Sequence, residues 1–139
     1  MYLLWKVKII SSICAVQKRI EVKESSCAGD NPWYWEGNIQ AVLVNHLSMN
    51  GYRIVSTANT ASHESGKDIE AVGADGKILW VSVKGWPEKS QNTQARHWFS
   101  QALFDIILYR NESKNVDLAV AFPDKFFHVF ELDKECGVV

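Results

Sequence analysis

Asp68, Ser82 and Lys84 are the residues of this chain whose types and spacing point to chemistry. They lie in one stretch, 66–87, that reads as two strands about a tight turn near Asp75-Gly76. Metal-assisted hydrolysis of a phosphodiester needs carboxylates to hold Mg2+ or Mn2+. It also needs a cation near the attacking water or the scissile phosphate. Asp68 offers an acid on the first strand and Lys84 a cation on the second. Residues directly opposite on paired strands have Cβ atoms roughly 5 Å apart, so Asp68 and residue 82 are placed to share one ion. Residue 82 is a serine, a neutral ligand where a hard dication prefers charge. Glu70, on the Asp68 strand, and Glu36, at the start of an earlier helix, are further acids.

The register of this hairpin depends on the turn. A two-residue loop at Asp75-Gly76 sets Asp68 against Val83 and scatters Ile69, Val81 and Val83 over both faces. A three-residue loop, Ala74-Asp75-Gly76, with Gly76 in the left-handed position of a bulge, sets Asp68 opposite Ser82. Ile69, Ala71, Leu79, Val81 and Val83 then share one face, and Asp68, Glu70, Ser82 and Lys84 share the other. The second register buries the apolar set together and is the one expected.

The elements around the hairpin follow from periodicity. Trp35, Ile39, Val42, Leu43 and Leu47 recur at helical spacing from Tyr34 to Met49, and Asn50-Gly51 closes that helix. Tyr52–Thr57 is a short β-rich run, and 58–66 is a polar loop. Past Pro87 and the polar run Glu88–Thr93, a second helix is expected from about Gln94 to Arg110, capped by Asn92 or Thr93. Trp98, Phe99, Ala102, Leu103, Ile106 and Ile107 form its apolar side. Gln94, His97, Gln101 and Asp105 line another side at steps of three and four. Val116–Phe122 and Phe126–Leu132 read as two more strands. Residues 24–32 form a polar linker. Before it, Leu3–Ile10 and Ala15–Val22 read as extra strands packed on the main domain. Lys6 and Lys8 ahead of a short apolar run make a poor signal peptide, and no run approaches transmembrane length.

The order helix with Glu36, strand, Asp68 strand, Ser82-Val83-Lys84 strand, helix with Gln101, strand resembles the core of the PD-(D/E)xK nuclease superfamily. The stretches Trp35-Glu36-Gly37-Asn38, Trp80-Val81-Ser82-Val83-Lys84-Gly85 and Thr93-Gln94-Ala95-Arg96-His97-Trp98-Phe99 are similar to those of a small group of bacterial members. The likeness spans roughly 33–132. It implies an α/β domain with a restriction endonuclease-like core, a central mixed sheet flanked by helices. It further implies that Asp68 binds Mg2+ or Mn2+, that Lys84 assists catalysis and that Glu36 supports the site. The substrate class would be nucleic acid, DNA first.

Ser82 departs from the family at its second acid, and three readings follow. The site is silent and the fold serves nucleic-acid binding or protein assembly. Or an acid has migrated to the following helix, as in some Ser-x-Lys restriction endonucleases of the superfamily; Asp105 is the acid available, and it lies well along the helix. Or Glu70, diagonal to Ser82, substitutes.

Each residue also has a plainer role. Glu36 suits the positive end of a helix dipole. Asp68 and Lys84 can be a cross-strand ion pair of little energetic worth. His97 and Gln101 can be surface residues of their helix. The tryptophans are mostly core, with Trp86 and Trp98 near enough to the site to stack on bases. Gln94, His97, Gln101, Arg96 and Lys89 are the side chains offered to nucleic acid.

Composition sets the outer bounds. The 139 residues suit one nuclease-like domain at 33–139 with an extension at 1–32. With 47% hydrophobic and 22% charged residues the chain reads as a soluble globule. A net charge of −1 argues mildly against a dedicated nucleic-acid binder. Three dispersed cysteines without zinc spacing read as free thiols in a reducing cytoplasm. No membrane partner is expected. Cutting both strands of a duplex needs two sites, hence a homodimer or another partner.

Overall fold

Alternation along the strands sorts side chains onto two faces of one sheet, and each face is covered by a helix. The computed structural model describes residues 31–60, 66–123 and 125–126, and the backbone of 2–10 and 12–19. In chain order the elements are β1 (Tyr2–Ile10), β2 (Ser12–Arg19), α1 (Glu36–Met49), β3 (Arg53–Thr57), β4 (Ile69–Val72), β5 (Ile78–Val83), α2 (Gln91–Glu112) and β6 (Asp117–Ala121). The sheet order is β2-β1-β6-β5-β4-β3. Among the described strands only β5 and β6 pair in parallel, with α2 in the connection between them. Such a pair needs a long crossover, and a helix supplies it.

The mixed sheet with helices packed on it is the expected class of architecture. The two N-terminal strands join the same sheet, β1 pairing with β6 as well as with β2. The second of them starts at Ser12 rather than Ala15, because β1 and β2 form a tight antiparallel pair whose ladder closes at Ile10 and Ser12.

The β4–β5 hairpin takes the three-residue register. Ile69 pairs with Val81, Ala71 with Leu79 and Val72 with Ile78. The Gly73 N–H donates to the Lys77 carbonyl at 2.9 Å, and Gly76 has φ +78°. Glycine adopts that left-handed conformation without the steric cost other residues meet. One face of the sheet therefore collects Ile69, Ala71, Leu79, Val81, Val83, Ala119 and Ala121 against Ile39, Leu43 and Leu47 of α1. Burying each large aliphatic side chain of this set contributes about 1.5–3 kcal/mol. The other face packs Trp80, Leu118, Val120 and Phe122 against Ala95, Ala102, Ile106 and Tyr109 of α2.

Three expectations are corrected. The second helix begins at Gln91, three residues early, because Ser90 turns the chain through a left-handed conformation (φ 47°) and the Gln94 N–H already bonds to the Ser90 carbonyl. Phe126 does not open a strand. It follows a turn in which its N–H bonds to the Pro123 carbonyl, and its ring is buried against Trp86, Phe99 and Phe122. The remainder of the expected strand, 127–132, lies outside the described residues, as do 20–30 and 61–65. Finally, Leu103 and Ile107 are exposed although their spacing suggested the core. The buried stripe of α2 is narrower and runs through Ala95, Ala102, Ile106 and Tyr109.

Candidate active site

Asp68 lies just before β4, on the α2 side of the sheet. Its carboxylate Oδ2 accepts the Val83 backbone N–H at 2.6 Å, which ties it across to the end of β5. Its main chain is held from the other side. Gln40, a buried polar residue of α1, donates to the Asp68 carbonyl at 2.7 Å and to the Ala58 carbonyl at 3.0 Å. The residues before it are fastened too. The Tyr109 hydroxyl donates to the Gly66 carbonyl at 3.3 Å. The Lys67 ammonium lies 4.1 Å from the centre of the Trp80 ring and pairs with Glu112. The segment 66–68 is thus fixed by both helices.

Ser82 is fully buried on β5, and its hydroxyl donates to Asp105 Oδ2 at 2.9 Å. Lys84, one step further along the same face, brings its ammonium to 3.3 Å from that oxygen. Both side chains are largely shielded from water. A buried serine hydroxyl needs a partner, and here the partner is an acid from the following helix. Asp105 therefore stands where the strand acid would be expected, with Lys84 beside it. Its place well along the helix, which counted against it, is what brings it over Ser82.

The electrostatics couple the two acids. Burial holds the Asp68 carboxyl above its ordinary value, and the negative charge of Asp105 adds to that rise. The Val83 N–H, the Lys84 charge and the Ser82 hydroxyl oppose it. Desolvation wins because water is removed from the carboxylate more completely than these partners replace it. Tyr109 is affected in the same sense. Burial first, then Asp68, Asp105 and Glu112, raise its pKa, so the hydroxyl stays a donor.

The other predicted site residues are distributed as follows. Glu70 is on the expected face but stands opposite Trp80, and its carboxylate meets the Ser56 hydroxyl at 3.5 Å on β3, on the far side of β4 from Ser82. Glu36 opens α1, where negative charge is favoured. Its backbone is packed on Gly85, where a Cβ would come within 2.8 Å of the Glu36 nitrogen, so the residue after Lys84 has to be glycine. The Trp86 N–H bonds to the Tyr34 carbonyl at 2.9 Å and seals this junction. Trp86 itself is buried edge-on against Phe126, which removes it as a base-stacking platform; Trp98 is half-buried. Gln94, His97 and Gln101 are exposed on α2 along the flank that leads to Asp105. Arg96 is exposed on α2 as well, and Lys89 just before it.

Gln40, Lys67 and Tyr109 were missed by reading the sequence. Tyr109 continues the helical series of Gln101 and Asp105 by one further step of four. Gln40 is four residues after Glu36 among core positions. Both spacings were legible; what they touch was not.

The donors gathered here are hard oxygens, the carboxylates of Asp68 and Asp105 and the hydroxyl of Ser82. That set fits Mg2+ or Mn2+, which are held by one or two carboxylates with water completing the shell. Among the described residues no group of three or more His, Cys, Asp or Glu side chains is gathered for a metal. Two acids with water is therefore the arrangement available. No helix among the described residues is long and apolar enough to cross a membrane.

No protein-family model matches the chain, and no significant match is found among curated proteins or solved structures.

Proposed function

We propose that this chain is a divalent-metal-dependent nuclease domain of the PD-(D/E)xK kind, hydrolysing phosphodiester bonds of DNA in the cytoplasm, with Asp105 replacing the acid absent at Ser82. The observation that carries this reading is the meeting of Asp105 Oδ2 with Ser82 Oγ at 2.9 Å and Lys84 Nζ at 3.3 Å, on the face that holds Asp68. The element order, and the opposed placement of the two helices, support a restriction endonuclease-like core.

Asp68 and Asp105 would hold the ion, and Ser82 orients Asp105. The ion, when bound, would supply polarisation of the phosphate and a more acidic water. Lys84 is placed to orient the attacking water and to stabilise the charge that builds on the phosphate oxygens. Gln40 and Val83 keep Asp68 from swinging away. Glu36 and Glu70 stand outside this pair of acids, Glu36 in the first turn of α1 and Glu70 turned to Ser56. Gln94, His97 and Gln101, with Arg96 and Lys89, contact the nucleic acid.

The test is cleavage of plasmid, linear duplex and single-stranded DNA with Mn2+, comparing wild type with Asp68→Ala and Asp105→Ala. Cutting that disappears in both variants supports the assignment. Cutting that survives Asp105→Ala moves the second acid to Glu70 or Glu36. The second reading is a silent domain that binds nucleic acid or assembles with protein. It is favoured by the limit of two acids and by the engagement of Asp105 with Lys84. It predicts no cutting by wild type under any of these conditions.

A further inference from the structure

α2 is apolar on two sides. Its inner stripe meets the sheet, while Leu103, Phe104, Ile107 and Leu108 remain 46%, 57%, 61% and 49% exposed. They are adjacent on the helix, at steps of one, three and four, and form one continuous outward patch. Exposing two leucines, an isoleucine and a phenylalanine together is costly in water, and a single one would need no explanation.

We infer that this patch is the interface of a two-fold dimer, in which α2 packs antiparallel against α2 of a second copy. The pattern is self-complementary. Ser100, Phe104, Ile107 and Asn111 repeat at steps of four, three and four, the seam spacing of a helix pair. In an antiparallel pair, Phe104 of one copy meets Ile107 of the other, and Ser100 meets Asn111. Each apolar residue then faces an apolar one, each polar end faces a polar end, and no seam position carries a charge. Leu103 and Leu108 flank the seam on its two sides.

The area is sufficient. At these exposures the four side chains present roughly 400 Å2, given that one aromatic side chain alone can bury about 150–250 Å2. That is the size of patch that marks an interaction site on a monomer, about 300–600 Å2. Two copies bury roughly 800 Å2 from these residues. Ser100 and Asn111 at the two ends of the seam bring the total to about the 1,000 Å2 that a specific interface needs. The partner is a second copy because the seam matches its own reverse. The inference stands independently of the nuclease assignment.

Sedimentation equilibrium of the full chain tests it. Wild type sediments as two chains, and Ile107→Glu weakens self-association on the order of 100-fold. Circular dichroism of the variant still shows the wild-type fold, because residue 107 faces solvent in the single chain, and its Tm falls only to that of the dissociated wild type. Phe104→Glu and Ile107→Lys, each monomeric alone, form a dimer when mixed, since residue 104 of one copy faces 107 of the other. A wild type that stays monomeric into the high micromolar range overturns the proposal. A dimer indifferent to substitution at 104 and 107 overturns it equally.

Discussion

The two faces of the sheet are made by the same strands and have opposite characters. The α1 face is almost wholly aliphatic, with Ile39, Leu43 and Leu47 closing on Ile69, Val81 and Val83. The α2 face begins as an aromatic core at Trp80 and Tyr109. At the ends of β4 and β5 it becomes a charged cluster of Asp68, Ser82, Lys84 and Asp105. The difference shows how the fold separates tasks. One face supplies stability with no titratable group in its core. The other carries buried charge that must be satisfied side chain by side chain, and it borrows rigidity from the first through Gln40, which reaches from α1 to the Asp68 carbonyl.

Substitution can break this division. The largest effect is expected on catalysis. Asp68→Ala and Asp105→Ala each lower Mn2+-dependent DNA cleavage by at least about 100-fold, the scale of losing one stabilising group in a preorganised site. Circular dichroism should show both still folded. Leu43→Ala does the reverse, costing about 2–5 kcal/mol in urea unfolding while the folded fraction retains its activity. Were Leu43→Ala to abolish metal binding in the folded protein, the two faces would not be separable.

Metal linkage sharpens the same contrast. Mn2+ at 100 times its Kd raises stability by about 2.7 kcal/mol if it binds only the folded chain. Thermal unfolding of wild type should show that rise, and Asp105→Asn should lose it. Ser82→Ala comes next. It removes a buried donor to a charged acceptor, a bond worth about 1.5–3 kcal/mol, and the loss should appear in chemical denaturation.

The smallest effect is one of pH. Because burial raises the Asp68 pKa above its ordinary 3.8, the unfolded chain releases this proton more readily than the folded one. Wild type is therefore favoured below the ordinary value and loses this contribution as pH rises through it towards the raised folded value. Without metal, Asp68→Asn should be the more stable protein at neutral pH. Its advantage in Tm should shrink as the pH falls through the raised folded value towards about 3.8, and be gone below it. A difference that grows on acidification would mean that partners outweigh burial at Asp68.

The hairpin register was readable because one face had to be buried. Sliding the strands by one residue would have sent Ile69, Val81 and Val83 to opposite sides. Gly76 marked the turn, and the apolar spacing of α1 marked its inward face. The role of Asp105 was not readable in the same way. Periodicity placed it on the flank of α2 with Gln94, His97 and Gln101, but the register between α2 and β5 depends on how Trp80, Ala102 and Ile106 pack. Nothing local to Asp105 encodes that. The same limit applies to Leu103 and Ile107, whose helical spacing suited burial although the sheet has room for a narrower stripe.

Local alternation and turn chemistry were enough to specify the β4–β5 hairpin and its register, the inward stripe of α1 and the face on which Asp68, Ser82 and Lys84 meet. These depend on neighbours a few residues apart. That Asp105 completes the cluster, that Glu70 is drawn towards Ser56, and that Gln40 and Tyr109 brace the segment 66–68 emerged with the packing of whole elements. Those contacts join residues 14 to 43 positions apart. Their geometry comes from how helices seat on a twisted sheet, a global outcome of close packing that no short window of sequence contains.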